Sequence, residues 1–139
     1  MSAEENKNLN LRWIQAANDR DWAGEAACRT ADYTAHMQGT AGPLDAGGWA
    51  GFLSMFTTAF PDMQIAVEAA VSERDTVASR WTITGTHQGD FLGVPATGRQ
   101  ITMRGIDFSR VVDGKIAEHW AQFDALGVMQ QIGAIPTPA

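Results

Sequence analysis

The sequence predicts an α+β fold in which about three N-terminal helices pack in the concave side of a conical, curved antiparallel sheet. Three observations predict it. Apolar residues recur at helical spacing from Leu9 to Phe60. From Met63 to Phe123 the chain breaks into alternating segments separated by turn residues. The chain has 139 residues, of which 45% are hydrophobic and 19% charged, so one domain over 1–139 can bury a core of its own.

The first helix is predicted over 3–19. Leu9, Trp13, Ala16 and Ala17 share a face, Ser2 caps the start, and Asn18-Asp19-Arg20-Asp21 ends it. A second, short helix covers 21–29 and carries Cys28, the single cysteine. With no partner for an internal disulfide, Cys28 is expected to be a buried structural thiol in a reducing compartment. Tyr33 to His36 reads as a brief strand, and the glycine-rich stretch Gly39–Gly48 as loop. The third helix, about 46–59, places Trp49, Phe52, Leu53, Phe56 and Phe60 on one stripe, which reads as core with some members free to line a pocket. Pro61 ends it.

Strands follow over 63–71, 76–87, 100–111 and 115–123, with a loop at Gly89–Thr97. In the second of them Val77, Ser79, Trp81 and Ile83 alternate with Ala78, Arg80, Thr82 and Thr84. Val112-Asp113-Gly114 joins the last two strands as a hairpin. A final helix, about 125–132, stops at Gly133, and Pro136–Ala139 is expected to fray. Helices before four antiparallel strands place the helices on one sheet face. Long hairpins curving around a helix leave an open mouth, where a small molecule can bind.

The net charge of −6 and scattered basic residues argue against nucleic acid and against an anionic membrane surface. No stretch approaches the ~18 apolar residues of a membrane span. The polar start, Met1-Ser-Ala-Glu-Glu-Asn-Lys7, lacks a signal-peptide core, so a cytoplasmic protein is expected. His36, His87 and His119 lack metal-site spacing. No phosphate-binding loop, dinucleotide fingerprint or G-x-S-x-G elbow occurs. Neither metal nor organic cofactor is expected.

Asp107 and His119 carry the strongest chemical signal. With Val112-Asp113-Gly114 as a three-residue loop, Val111 pairs with Lys115 and Asp107 falls opposite His119, where Cβ atoms lie about 4.5–5.5 Å apart. A carboxylate beside an imidazole fixes its tautomer and suits it to act as a general base. A two-residue Asp113-Gly114 turn instead places Trp120 opposite Asp107. The pair also has a purely structural reading, as a satisfied buried pair that orders the sheet.

On the predicted site face lie Met103, Gly105, Ala117, Ala121 and Phe123, small or apolar as a pocket floor requires. Ile106, Phe108, Ile116 and Trp120 lie on the other and read as packing, including a dimer contact. Trp49, Phe52 and Phe56 are candidate pocket walls. His36, before a glycine-rich loop, is a candidate substrate contact or a surface histidine. Arg80 is either solvated, paired, or aimed at a carbonyl in the pocket; Arg104 falls on the face opposite Asp107. His87 is read as ordering the loop after it, and Asp124 as a helix cap.

Ala59-Phe-Pro-Asp62, Gly85-Thr-His-Gln-Gly89, Phe91-Leu-Gly-Val-Pro-Ala-Thr-Gly-Arg99, Arg110-Val-Val-Asp-Gly-Lys-Ile116, Glu118-His-Trp120 and Gln131-Ile-Gly133, in this order and spacing, resemble the SnoaL-like polyketide cyclases of the nuclear transport factor 2-like superfamily. The resemblance spans nearly the whole chain. It implies a conical α+β barrel, commonly a homodimer, without metal or organic cofactor, acting on a small molecule. It also implies intramolecular aldol ring closure, with hydroxylases, isomerases and epoxide hydrolases among relatives. In ring-closing members an acid/base aspartate follows the strand histidine by two residues; counted from His119 that position is Ala121. Their partner-strand histidine falls on Asp107. Carboxylate and imidazole are both present here with their strands exchanged.

The leading expectation is therefore a cofactor-independent acid/base enzyme of lyase or isomerase type on a small, apolar, carbonyl-bearing substrate. His119 would be the base, oriented by Asp107, with His36 or Arg80 polarising the carbonyl. The alternatives are a non-catalytic small-molecule-binding protein and a hydroxylase or hydrolase on the same scaffold.

Overall fold

A computed structural model describes residues 2–138; Met1 and Ala139, the ends of the expected domain and of its tail, lie outside the described residues. The elements are α1 (Ala3–Asn18), α2 (Trp22–Ala27), β1 (Arg29–Met37), α3 (Ala46–Ala59), β2 (Gln64–Glu73), β3 (Thr76–Thr86), β4 (Gln100–Val112), β5 (Lys115–Phe123) and α4 (Ala125–Gln131). Each helix starts on a side-chain cap: Ser2 accepts from the Glu5 N–H, Asp21 from Gly24, Asp45 from Gly48 and Asp124 from Gly127. Such caps contribute on the order of 1 kcal/mol each.

The five strands form one sheet in the order β1-β5-β4-β3-β2. The expected all-antiparallel sheet is corrected to a mixed one, because β1 pairs in parallel with β5. β1 is also longer than the brief strand expected. Its pairing with β5 shifts register between Arg29 and Thr34, so its first half carries no alternating pattern to read. Its free edge is covered at Ala35, which exchanges two 2.8 Å backbone hydrogen bonds with Leu44.

The β4–β5 hairpin differs from the expected three-residue loop. Asp113 and Gly114 both take positive φ, 49° and 76°, and Val112 pairs with Lys115. This is the two-residue turn that Asp-Gly favours. A bulge follows: Val111 pairs with Ile116 but Arg110 with Glu118, leaving Ala117 as the extra residue. Asp107 then faces Ala121, and Ser109 faces His119. The pairing differs by two residues from the three-residue register and by one from the two-residue alternative. The two-residue turn, ahead of the bulge, sets Ile116, expected on the outer face, opposite Val111 and fully in the core.

β4 sorts its side chains strictly by parity. Ile101, Met103, Asp107, Ser109 and Val111 are buried, while Ile106 and Phe108 are exposed. One core cluster packs α3 and α4 on the sheet through Phe56, Phe60, Trp81, Met103 and Val128. A second gathers Leu9 and Trp13 of α1, Tyr33 of β1, and Trp49 of α3 around Val77, Val111 and Ile116.

Candidate active site

Between the two clusters the concave face encloses a cavity. α1 supplies Trp13, Ile14 and Ala17; α3 supplies Trp49, Phe52, Leu53 and Phe56; the sheet supplies Trp81, Ile83, Met103, Asp107, His119, Ala121 and Phe123. Of the sequence candidates, the structure brings together Trp49, Phe52, Phe56, Met103, Ala121, Phe123, Asp107 and His119 on this wall. Leu53, Ile65, Met37 and Phe123 are only partly buried, which places the mouth on their side.

Two candidates lie elsewhere. Arg80 is exposed on the outer face, because strand parity gives the inside to Ser79, Trp81 and Ile83. His36 also points outward, between Ala35 and Met37: its Nε2 lies 2.7 Å from Glu118 Oε2, and its ring stacks on Trp120 at 5.1 Å and 9°. Neither can polarise a carbonyl in the cavity. Arg104 is exposed on the outer face as well. His36 and Arg110 hydrogen-bond Glu118, and they hold its carboxyl below the usual carboxylate range.

At the centre, His119 Nε2 lies 3.1 Å from Asp107 Oδ2, with both residues buried. Asp107 Oδ1 accepts a hydrogen bond from the Ser79 hydroxyl. Asp107 and His119 are diagonal rather than direct cross-strand partners, on one face and within reach. An ionised carboxylate only accepts, so Nε2 carries the proton facing it, and in neutral imidazole Nδ1 keeps its lone pair. Nδ1 is buried and, among the described residues, has no hydrogen-bond partner. Trp13 and Trp49 stand nearly perpendicular to the imidazole at 4.9 and 5.6 Å, and Asn10 Nδ2 donates to Ser109, the cross-strand partner of His119, at 3.3 Å.

Sequence reasoning missed Glu25. Its carboxylate is 3% exposed and lines the cavity. Oε2 accepts the indole N–H of Trp13 at 2.6 Å and of Trp49 at 3.1 Å. Arg29 donates through Nε at 2.9 Å and Nη2 at 3.0 Å. The signal was an i, i+4 Glu–Arg pair beside two tryptophans that need acceptors when buried.

The flanking groups are structural. His87 is fully buried, and its Nδ1 meets the Thr97 hydroxyl at 2.9 Å and the Thr97 N–H at 3.2 Å, which ties down the loop after β3. Cys28 is half-buried rather than buried, and burial pushes its thiol pKa up. Burial likewise pushes the Tyr33 phenol far above its usual value.

Comparison with known proteins places this geometry. The family profile described as SnoaL-like polyketide cyclase matches residues 7–132. Aklanonic acid methyl ester cyclase from Streptomyces peucetius is 41% identical over 63 residues, 45% of this chain and 43% of that protein. Nogalonic acid methyl ester cyclase from Streptomyces nogalater is 33% identical over 67 residues, 48% of this chain and 50% of that protein. The chain thus spans about half the length of the curated relatives it matches. Among solved structures, AclR, a candidate hydroxylase from Streptomyces galilaeus, superposes with a TM-score of 0.91 and 30% identity, covering 99% of this chain and 87% of that one. IdmH, a candidate polyketide cyclase from Streptomyces antibioticus, gives 0.84 and 34%, covering 92% and 98%. A profile match over most of the chain, on a sheet and helices shared with these structures, means that the chain belongs to the SnoaL-like polyketide cyclase family.

Proposed function

We propose that the protein is a cofactor-independent acid/base enzyme that closes a ring in a small, largely apolar, carbonyl-bearing substrate by an aldol-type step. The observation that carries this reading is the buried His119 imidazole, which lines an apolar cavity, is anchored through Nε2 by Asp107 and leaves Nδ1 without a partner among the described residues. Nδ1 takes a proton alpha to a carbonyl. The C–H pair becomes the C=C of an enolate, whose carbon attacks a second carbonyl to form the ring bond. The imidazolium returns its proton to the new alkoxide. No electrons leave the substrate, so the step needs no redox partner. The two methyl ester cyclases named above suggest a polyketide methyl ester.

A second reading, hydroxylation, is favoured by the likeness to AclR. It shares the proton abstraction, but the carbanion would add molecular oxygen to give a hydroperoxide, and a two-electron reductant must then convert that to the hydroxyl and water; turnover that stops without oxygen would select it. We also infer a homodimer in a cytoplasmic setting. Support for the dimer is the exposed apolar outer face of Ile106, Phe108 and Trp120. Support for the compartment is the lone Cys28, and no helix among the described residues is long and apolar enough to cross a membrane.

The test uses His119→Ala and Asp107→Asn with aklanonic acid methyl ester, reading ring closure and exchange of the α-hydrogen for solvent deuterium. Each variant is expected to lose roughly 10²–10⁴-fold. Survival of both within a few-fold, or a wild type that promotes neither reaction, overturns the proposal.

A further inference from the structure

An enolate needs a hydrogen-bond donor for its oxygen, and neither residue expected to supply it faces the cavity. The wall itself offers side-chain N–H groups only on Trp13, Trp49, Trp81 and His119. Trp13 and Trp49 donate to Glu25, and His119 faces Asp107. The rest of the wall is hydrocarbon, thioether or carboxylate. Trp81 is 7% exposed, and among the described residues its Nε1 donates to no acceptor, where a buried indole normally finds one. Nε1 is not among the fully buried side-chain atoms that lack a partner.

The indole is held by its other end. Trp81 pairs with Gly105 across β3–β4, and a Cβ at 105 would stand 2.3 Å from Trp81 Cη2 and 2.7 Å from Cζ3. The missing side chain lets the six-membered ring lie against β4. That leaves the pyrrole edge, with Nε1, at the end away from the strand. Trp81 sits two residues from Ser79, which hydrogen-bonds Asp107. On a flat sheet, spacings of about 4.8 Å between strands and about 3.4 Å per residue put the α-carbons of Trp81 and His119 roughly 16 Å apart. Both rings line the same cavity.

We propose that the Trp81 indole N–H is the electrophilic catalyst of this site, donating to the substrate carbonyl oxygen as it takes up enolate charge. The assignment rests on the acid/base reading of His119. As Nδ1 removes the α-proton, the C–H pair forms the C=C bond and the carbonyl π pair moves onto oxygen, held by Nε1–H. Trp81 keeps its proton throughout, so the proton balance lies wholly with His119. The ligand class is a carbonyl compound that ionises to an oxyanion, and phenolates should mimic its charged form.

The probe is 4-nitrophenolate against uncharged 4-nitroanisole, with the protein labelled in its indole nitrogens. The wild type should bind 4-nitrophenolate at least 10-fold more tightly, and the Trp81 N–H resonance should move downfield more than those of the other four tryptophans. Trp81→Phe should lose that preference, bind 4-nitroanisole within 2-fold of wild type, and drop kcat about 10²–10³-fold with little change in KM. An unmoved Trp81 resonance, an absent preference in the wild type, or Trp81→Phe turning over like wild type overturns the assignment. The labelled wild type decides even if the variant fails to fold. If His119→Ala is inactive while Trp81→Phe is not, only the Trp81 assignment falls; if His119→Ala is active, the acid/base reading falls first.

Discussion

Replacing Glu25 by alanine removes an acceptor shared by four donor atoms, two of them on Arg29 and two on the indoles beside His119. Breaking a buried ion pair from one side costs about 3–5 kcal/mol, because the remaining charge is stranded. Each indole N–H left without an acceptor adds about 1–3 kcal/mol. Two features offset part of this: the Arg29 side chain keeps 9% exposure, and water can enter the space vacated. The net expectation is about 4–6 kcal/mol, a large share of the ~5–15 kcal/mol that holds an ordinary domain together. With a slope of about 1–3 kcal/mol per molar urea, the unfolding midpoint should fall by roughly 1–6 M. Glu25→Gln keeps the volume and one acceptor oxygen and should lose less than half as much. Adding Arg29→Ala to Glu25→Ala removes the stranded charge and should recover part of the loss. Urea unfolding followed by tryptophan fluorescence and far-UV circular dichroism measures all three. A Glu25→Ala midpoint within 0.5 M of wild type, or a double variant weaker than Glu25→Ala alone, refutes the reasoning.

Asp62 supplies a pH test. It accepts the Thr86 N–H and hydroxyl, both at 2.7 Å, and the backbone bond first, then the hydroxyl, holds its carboxyl below the ordinary value of 3.8. A group more acidic in the folded state stabilises it above the unfolded pKa, and that contribution fades as pH falls through the folded value. The stability gap between wild type and Asp62→Ala should therefore be full near neutrality and shrink as pH falls below the ordinary value of 3.8 and through the lower folded one; a gap independent of pH contradicts it. For the dimer, Phe108→Asp puts a charge on the exposed apolar face and should weaken association by on the order of 100-fold, as loss of a central aromatic anchor does. Sedimentation of the wild type as a monomer at tens of micromolar would dispose of the interface.

The helices were legible because each signals twice, by an apolar stripe and by a cap. α3 shows both, with Trp49 and Phe56 on its buried face and Asp45 accepting from Gly48 at its start. The antiparallel strands were legible because one face of each is wet and the other dry, which writes a period of two into the sequence. β1 carried neither signal fully. Its partner lies across most of the chain, and its register slips after Arg29, so its length and parallel pairing depend on tertiary contacts that no local pattern encodes. Glu25 was hidden for a related reason. A carboxylate in a six-residue helix reads as solvated, and only the two tryptophans brought over it from α1 and α3 make it a buried acceptor.

In the site, parity proved more informative than residue chemistry. Arg80 and His36 were singled out for what their heads can do, yet each alternates with inward neighbours, Trp81 in one case and Met37 in the other. Asp107 and His119 meet although their register differs from the one the sequence predicts, and the bulge explains how. The Asp113-Gly114 turn, continued without interruption, would pair Asp107 with Trp120 and carry His119 to the outer face. One extra residue, Ala117, reverses the parity of everything after it on β5. It sends Trp120 outward against His36 and brings His119 inward beside Asp107. The Asp107–His119 contact is thus created by a one-residue irregularity in pairing, and a turn type inferred from three residues could not reveal it.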